Sequence, residues 1–153
     1  MKKEQFSLLV VDDDVDILNL VNLDMKEEYE VHAAFSVSQA MDILKRNEIH
    51  IAVCDERLKG ESGSELLAVI KDQYPEVVRI LISGYNDTTA IMNAINKANV
   101  FKFIMKPFGE EFRDIINEAR QLYIDKTKNH QFFLLALNRQ SHHYQQCQFR
   151  PIP

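Results

Sequence analysis

Several absences narrow the possibilities before any motif is considered. The chain has only two cysteines among its 153 residues, Cys54 and Cys147, with no pairing pattern, so a disulfide-stapled secreted scaffold is excluded and a reducing cytoplasm is expected. Long apolar runs are missing as well. The longest, Phe132–Leu137, is far short of the roughly 20 residues a membrane span needs. Met1-Lys2-Lys3 has the basic start of a secretory signal, but the apolar run behind it, Leu8–Val11, is four residues long and meets three aspartates, so no secretory core is expected.

Acidic residues are absent from the C-terminal part. All 23 lie at or before Asp125, while Arg139 and Arg150 are the only basic residues beyond Lys128; the first 128 residues carry −7 and the last 25 carry +2. An acidic body repels nucleic acid, so direct nucleic-acid binding by this chain is not expected. What remains is ordinary for a soluble globular protein, with 46% hydrophobic and 27% charged residues and length for one domain plus a short appendage.

Five short apolar, mostly β-branched or aromatic runs recur: Ser7–Val11, Tyr29–Ala34, His50–Cys54, Val77–Ser83 and Val100–Met105. Continuous apolar character suits strands covered on both faces, as in a parallel sheet. Helical patterns lie between them. Val37, Ala40, Met41 and Leu44 follow i, i+3, i+4, i+7, as do Ile91, Ala94, Ile95 and Ala98. Ser36 with Gln39 reads as a capping box, and Asn86 or Asp87 can cap the fourth helix. Phe112, Ile115, Ile116, Ala119, Leu122 and Tyr123 give the last helix an apolar stripe. The alternation of strand and helix predicts an α/β fold: a doubly wound, five-stranded parallel sheet with helices on both faces. Residues 129–153 read as a C-terminal extension, helical at the start, then linker or disordered tail, and as the possible beginning of an absent output region.

In such sheets the functional crevice lies beyond the carboxyl ends of the strands. Strand one ends in Asp12-Asp13-Asp14, strand three in Asp55, strand four in Ser83-Gly84, and strand five in Lys106-Pro107. Two unit charges about 4 Å apart repel by roughly 4 kcal/mol at an effective dielectric of 20. Three carboxylates converging for stability alone make no sense, and a hard cation such as Mg²⁺ resolves the clash. Beside a metal, Asp55 becomes a carboxylate nucleophile able to accept a phosphoryl group. Lys106 would neutralise charge on the transferring group, Ser83 would donate to one of its oxygens, and Gly84 would offer its N–H. A helix N-terminal acid accounts for Asp14 alone, but not for Asp12, Asp13, Asp55 and Lys106 together.

Asp12-Asp13, Asp55, Gly63 eight positions later, Ser83-Gly84 and Lys106-Pro107-Phe108, each at its expected strand end, resemble the receiver domain of two-component response regulators over roughly residues 5–126. The resemblance implies the flavodoxin-like strand order 2-1-3-4-5 and a chemotaxis-regulator-like receiver occupying residues 1–128. It implies that Asp13, Asp55 and the main-chain carbonyl of Arg57 ligate Mg²⁺, with Asp12 acting largely through water. It implies backbone contacts to the phosphoryl group from Glu56 and Gly84, a cis Lys106-Pro107 bond, and an aromatic switch at Phe103 that turns inward as Ser83 moves. The phosphoryl source would be a histidine kinase or phosphotransfer protein. The face of helix four, strand five and helix five would then change partners, with a homodimer among the possibilities. Lys59 replaces the family's usual proline and Ser62 its frequent aspartate, which bears on loop rigidity. Arg57 and Tyr85 occupy the positions that tune phosphoryl lifetime, and their bulk suggests a longer one. The stretches Asp55-Glu56-Arg57-Leu58, Pro75–Tyr85 and Ala94-Ile95-Asn96 are similar to receivers joined to cyclic-di-nucleotide phosphodiesterase, kinase or sigma-54-type outputs.

Two other readings compete. One is a phosphorylation-independent interaction scaffold with the same fold, which would have no need of the intact acidic set. The other is a small phosphatase or phosphotransferase acting on an outside substrate, for which no second base is evident. Cys54 reads as buried core. His142, His143 and Cys147 lack the paired ligand spacing of a zinc site.

Overall fold

The computed structural model describes residues 5–84 and 87–148. In chain order the elements are β1 (Phe6–Val11), α1 (Val15–Met25), β2 (Tyr29–Ala34), α2 (Val37–Arg46), β3 (Ile51–Asp55), β4 (Arg57–Leu58), β5 (Glu61–Ser62), α3 (Gly63–Gln73), β6 (Val78–Ser83), α4 (Thr88–Asn93), a π-helical turn (Ala94–Ala98), β7 (Lys102–Met105) and α5 (Glu111–Gln148). The main sheet has the order β2-β1-β3-β6-β7, and all its neighbours pair in parallel. Without the two-residue strands β4 and β5, that is the expected order 2-1-3-4-5. The short pair was not foreseen. It forms an antiparallel hairpin, Arg57 opposite Ser62, turned by Gly60 at φ +71°.

Strand alternation sorts the core into two layers. Leu9, Val11, Ala52, Cys54 and Leu81 face one side with Ala40, Leu44, Leu66, Leu67, Ile70, Ala94 and Ala98. Leu8, Val10, Ile51, Val53, Ile80, Ile82 and Ile104 face the other with Leu18, Val21, Met25, Phe112, Ile116 and Ala119. Each fully buried Val, Leu, Ile, Met or Phe side chain in these layers contributes about 1.5–3 kcal/mol, the alanines less. Helices therefore cover both faces, and the functional rim is left at the strand ends.

Local signals explain most helix starts. Asp14 accepts from the Asp16 N–H and caps α1. Ser36 accepts from Gln39 N–H at 3.1 Å, while the Gln39 side chain returns to Phe35 N–H at 2.8 Å. The fourth helix departs from expectation. Asp87 occupies its N-cap position without making a side-chain cap bond, because its carboxylate is engaged elsewhere; Asn86 lies outside the described residues. The stripe Ile91, Ala94, Ile95, Ala98 is also broken, since Ile95 is exposed while Ala94 and Ala98 are buried. The wider turn at Ala94–Ala98 shifts the helical phase by about a residue and rotates Ile95 outward. It ends at Asn99 in the left-handed region, φ 47°, a conformation asparagine tolerates better than most residues. Arg79, buried on β6, ties down this end by donating to the carbonyls of Ala98 (2.8 Å), Val77 (2.9 Å) and Pro75 (3.3 Å).

The chain divides into two compact units, Met1–Tyr123 and Ile124–Pro153. In the second unit the helix continues to Gln148 and exposes Phe132, Phe133, Leu134, Leu135 and Leu137. Residues 149–153 and the side chains of His142, His143 and Cys147 lie outside the described residues. No described helix is long and apolar enough to cross a membrane.

Candidate phosphoacceptor site

Four chain segments deliver the site, and each carries its polar residue at the point where an apolar strand ends. Asp12 follows β1, Asp55 closes β3, Ser83 closes β6, and Lys106 follows β7, its N–H still bound to Ser83 O at 3.0 Å. The Lys106-Pro107 bond is cis. Asp12, Asp13 and Asp55 each present a carboxylate oxygen within 4.8 Å of the others. Lys106 Nζ donates to Asp55 Oδ2 at 3.0 Å and stands 3.5 Å from Asp12 Oδ2. Asp12, Asp13, Asp55 and Lys106 thus converge on one spot.

Electrostatic strain is concentrated here. Burial pushes the Asp12 carboxyl above its ordinary range, opposed by the Asp14 N–H at 2.9 Å and by Lys106. Burial also raises Asp55, opposed by the Lys106 hydrogen bond and reinforced by Asp12. Burial would lower Lys106, but its hydrogen bond and charge contact with Asp55 prevail and raise it. Three ionised carboxylates and one ammonium leave a net charge of −2 in a partly buried crevice. Ser83 Oγ is buried without a hydrogen-bond partner among the described residues, and Asp12 Oδ2, also buried, is met only by the Lys106 ammonium at 3.5 Å. An orphaned buried polar group costs about 1–3 kcal/mol. Hard oxygen donors, a double negative charge and a buried carboxylate oxygen met only by a lysine at 3.5 Å fit Mg²⁺.

The loop after Asp55 is more ordered than its departures from the family pattern suggested. Gly63 packs so tightly that an added Cβ would meet Asp55 O at 2.1 Å. Glu56 turns inward and accepts from Ser62 Oγ (2.8 Å), Ser64 Oγ (3.1 Å) and Ser64 N–H (3.0 Å) at the start of α3. Ser62 also accepts from Glu65 N–H as N-cap. The serine in place of the usual aspartate is therefore part of a clamp. Its signal, Glu56 followed by Ser62 and Ser64, was visible but silent without knowing that the loop folds back.

Other expected residues are placed as follows. The Glu56 N–H donates to Ile82 O at 2.8 Å, extending the β3–β6 ladder, while a backbone hydrogen bond from Arg57 reaches the Asp55 carboxylate. The Gly84 N–H donates to Asp87 Oδ2 at 3.1 Å. The Arg57 guanidinium is swung away from the carboxylates onto Asp87 Oδ1, at 2.9 and 3.2 Å. Phe103 on β7 is 42% exposed. Cys54 is fully buried, its thiol pushed well up by burial and by Asp55, and donates to Asp55 O at 3.3 Å. Tyr85 lies outside the described residues. Sequence reasoning missed the roles of Glu56 and Asp87.

Fold and site together define a doubly wound α/β domain with an acidic crevice, a strand-end hydroxyl and a buried-edge lysine. The response regulator receiver domain pattern matches residues 8–119, and the chain belongs to that family. It is 34% identical over 121 residues to the hydrogenase transcriptional regulatory protein HoxA of Cupriavidus necator, covering 79% of this chain and 25% of that protein. It is also 34% identical over 110 residues to a putative NtrX-like response regulator of Rickettsia conorii, covering 70% and 23%. The chain thus spans about a quarter of the length of these curated relatives. Among solved structures it superposes on the signal receiver domain of an HD domain-containing protein from Pseudomonas fluorescens Pf-5, with TM-score 0.79 at 26% identity over 84% of this chain and 96% of the other. NtrX from Brucella abortus gives 0.75 at 29% identity, covering 82% and 29%.

Proposed function

We propose that Asp55 accepts a phosphoryl group from a phosphohistidine on a histidine kinase or phosphotransfer protein, in a Mg²⁺-dependent reaction in the cytoplasm. The observation that carries this reading is the convergence of Asp12, Asp13 and Asp55 on one spot with Lys106 bonded to Asp55. Asp12, Asp13, Asp55 and the Arg57 carbonyl would hold the ion, which when bound neutralises the carboxylates and the charge on the incoming phosphoryl oxygens.

The chain's own residues do the rest. An Asp55 oxygen attacks phosphorus; the P–N bond to the donor imidazole breaks, its electron pair stays on nitrogen, and solvent supplies the proton. Lys106, already held by Asp55, stays close enough to pair with a phosphoryl oxygen. Ser83, whose buried hydroxyl has no acceptor among the described residues, donates to a second oxygen, and the Gly84 N–H to a third. As Ser83 moves toward the phosphoryl group, Phe103 turns from its exposed position into the space left behind. The face built from α4, β7 and α5 then changes its partner, whether a second copy or an effector. Residues 1–128 act as the receiver, and residues 129–153 lead toward an output region of the kind that the greater length of the relatives suggests.

The test is phosphate incorporation from acetyl phosphate with and without Mg²⁺, on the parent and on Asp55→Asn. Incorporation that requires both Mg²⁺ and Asp55 is expected. Labelling that persists in Asp55→Asn, or a parent that never labels, would sink the proposal.

A further inference from the structure

Asp87 stands four residues beyond Ser83, at the position from which it should cap α4, yet it leaves those amides alone. Its side chain is only 9% exposed, and each of its oxygens is committed elsewhere. Oδ2 accepts the Gly84 N–H at 3.1 Å. Oδ1 accepts from Arg57 Nη2 at 2.9 Å and Nε at 3.2 Å. One carboxylate thus gathers an amide from the tip of β6 and a guanidinium from the loop after β3, the two segments that flank Asp55.

The Gly84 N–H points in one direction and can serve one strong acceptor. A phosphoryl oxygen on Asp55 is an anionic acceptor of the same kind as Asp87 Oδ2. Two anions converging on a single N–H repel each other, so occupation by one disfavours the other. We infer that Asp87 is an internal stand-in for the phosphoryl group at the Gly84 amide, a positioning residue that phosphorylation must displace. This rests on the phosphoacceptor reading above and adds a regulatory term to it. The same displacement removes the Asp87 hold on β6 at the N-terminal end of α4. The other end of that helical segment stays anchored, because Arg79 remains on the Ala98 and Asn99 carbonyls. Loss of one tether with retention of the other gives α4 a pivot.

Beryllofluoride, a tetrahedral phosphoryl analogue, is titrated with Mg²⁺ into the whole chain as parent, Asp87→Ala and Asp87→Asn, following the Gly84 amide by ¹H–¹⁵N correlation. Removing the competing acceptor should tighten beryllofluoride binding about fivefold in Asp87→Ala, the worth of one intramolecular hydrogen bond, with a smaller gain in Asp87→Asn. The free Gly84 amide should shift in Asp87→Ala relative to the parent, and the two should converge once the analogue is bound. A merely structural role for Asp87 predicts the opposite, weaker binding through a loosened site. Equal or weaker binding in a folded Asp87→Ala overturns the inference; should that variant not fold, Asp87→Asn is judged by the same criterion. A parent that binds no beryllofluoride with Mg²⁺ overturns the phosphoacceptor reading itself, whereas normal parent binding with no gain in the variants overturns only the role of Asp87.

Discussion

Both ends of the main sheet carry polar and charged side chains, and they solve opposite problems. At the amino end, Ser7 donates its N–H to His50 Nδ1 at 2.8 Å. The rings of Phe6, His50 and Tyr123 pack with centroids 4.8–5.9 Å apart, and Arg120 lies over Phe6 at 4.8 Å. Even the buried charge of Arg79 is surrounded by backbone carbonyls. At the carboxyl end, like charges are crowded, Ser83 Oγ has no hydrogen-bond partner among the described residues, and Asp12 Oδ2 has only Lys106 at 3.5 Å. Polar residues at a strand end are therefore not informative by kind. Their state of satisfaction is, because a buried polar group left without a partner calls for an explanation beyond the fold itself.

The largest effect expected from a single change lies under the acidic crevice. In Gly63→Ala the new Cβ would meet backbone rather than a movable side chain, so β3 or α3 must shift, at a cost of about 3 kcal/mol, the upper end for overpacking. Chemical denaturation measures it, and a loss below 1 kcal/mol would mean the loop is softer than it looks. Next comes the metal. Mg²⁺ at one hundred times its dissociation constant should stabilise the folded chain by about 2.7 kcal/mol. Asp13→Ala should remove most of that gain, and an undiminished gain would place the ion elsewhere. At the amino end, His50→Ala should cost about 2 kcal/mol, since the Ser7 N–H loses its acceptor, and the Mg²⁺ increment should be untouched. A change in that increment would couple the two ends and break the contrast.

The contrast extends to pH. Burial raises both Asp12 and Asp55 above the ordinary 3.8, so the folded chain takes up protons more readily than the unfolded one. Without Mg²⁺, these two groups make stability fall as pH rises from 3.8 through their raised values, and the penalty is complete above them. Mg²⁺ binding requires the ionised carboxylates, so its stabilisation should grow over the same interval. Thermal midpoints measured against pH with and without Mg²⁺ should therefore diverge toward neutral pH; parallel curves would remove the carboxylates from the metal site.

Strand positions, the parallel sheet order and the convergence of Asp12, Asp13, Asp55 and Lys106 were legible in the sequence, because apolar runs fix strands and parallel topology fixes which ends meet. The features that were not legible depend on side chains crossing between segments. Glu56 bonds to Ser62 and Ser64 only once the loop has turned back as β4 and β5. Asp87 looks like a helix cap by position, and only the proximity of Arg57 and Gly84 reveals that it is not one. The π-helical turn at Ala94–Ala98 escapes periodicity analysis because that analysis assumes a constant 3.6 residues per turn, and the misplaced Ile95 follows from it.

Ser83 supplies the smallest and sharpest comparison. Its hydroxyl is fully buried and orphaned, so Ser83→Ala removes a desolvated dipole and almost no volume. The variant should be more stable than the parent in the absence of phosphoryl analogue, by up to about 1 kcal/mol, whereas deleting a partnered group at the amino end destabilises. The same variant should bind beryllofluoride more weakly, since the oxygen that Ser83 would meet loses its donor. Stability and ligand affinity thus move in opposite directions at one atom, as expected of a group held ready for a ligand rather than for the fold. Paired denaturation and titration of Ser83→Ala measure both signs, and a variant that loses stability while keeping its affinity would return Ser83 to the role of a strand-end core residue.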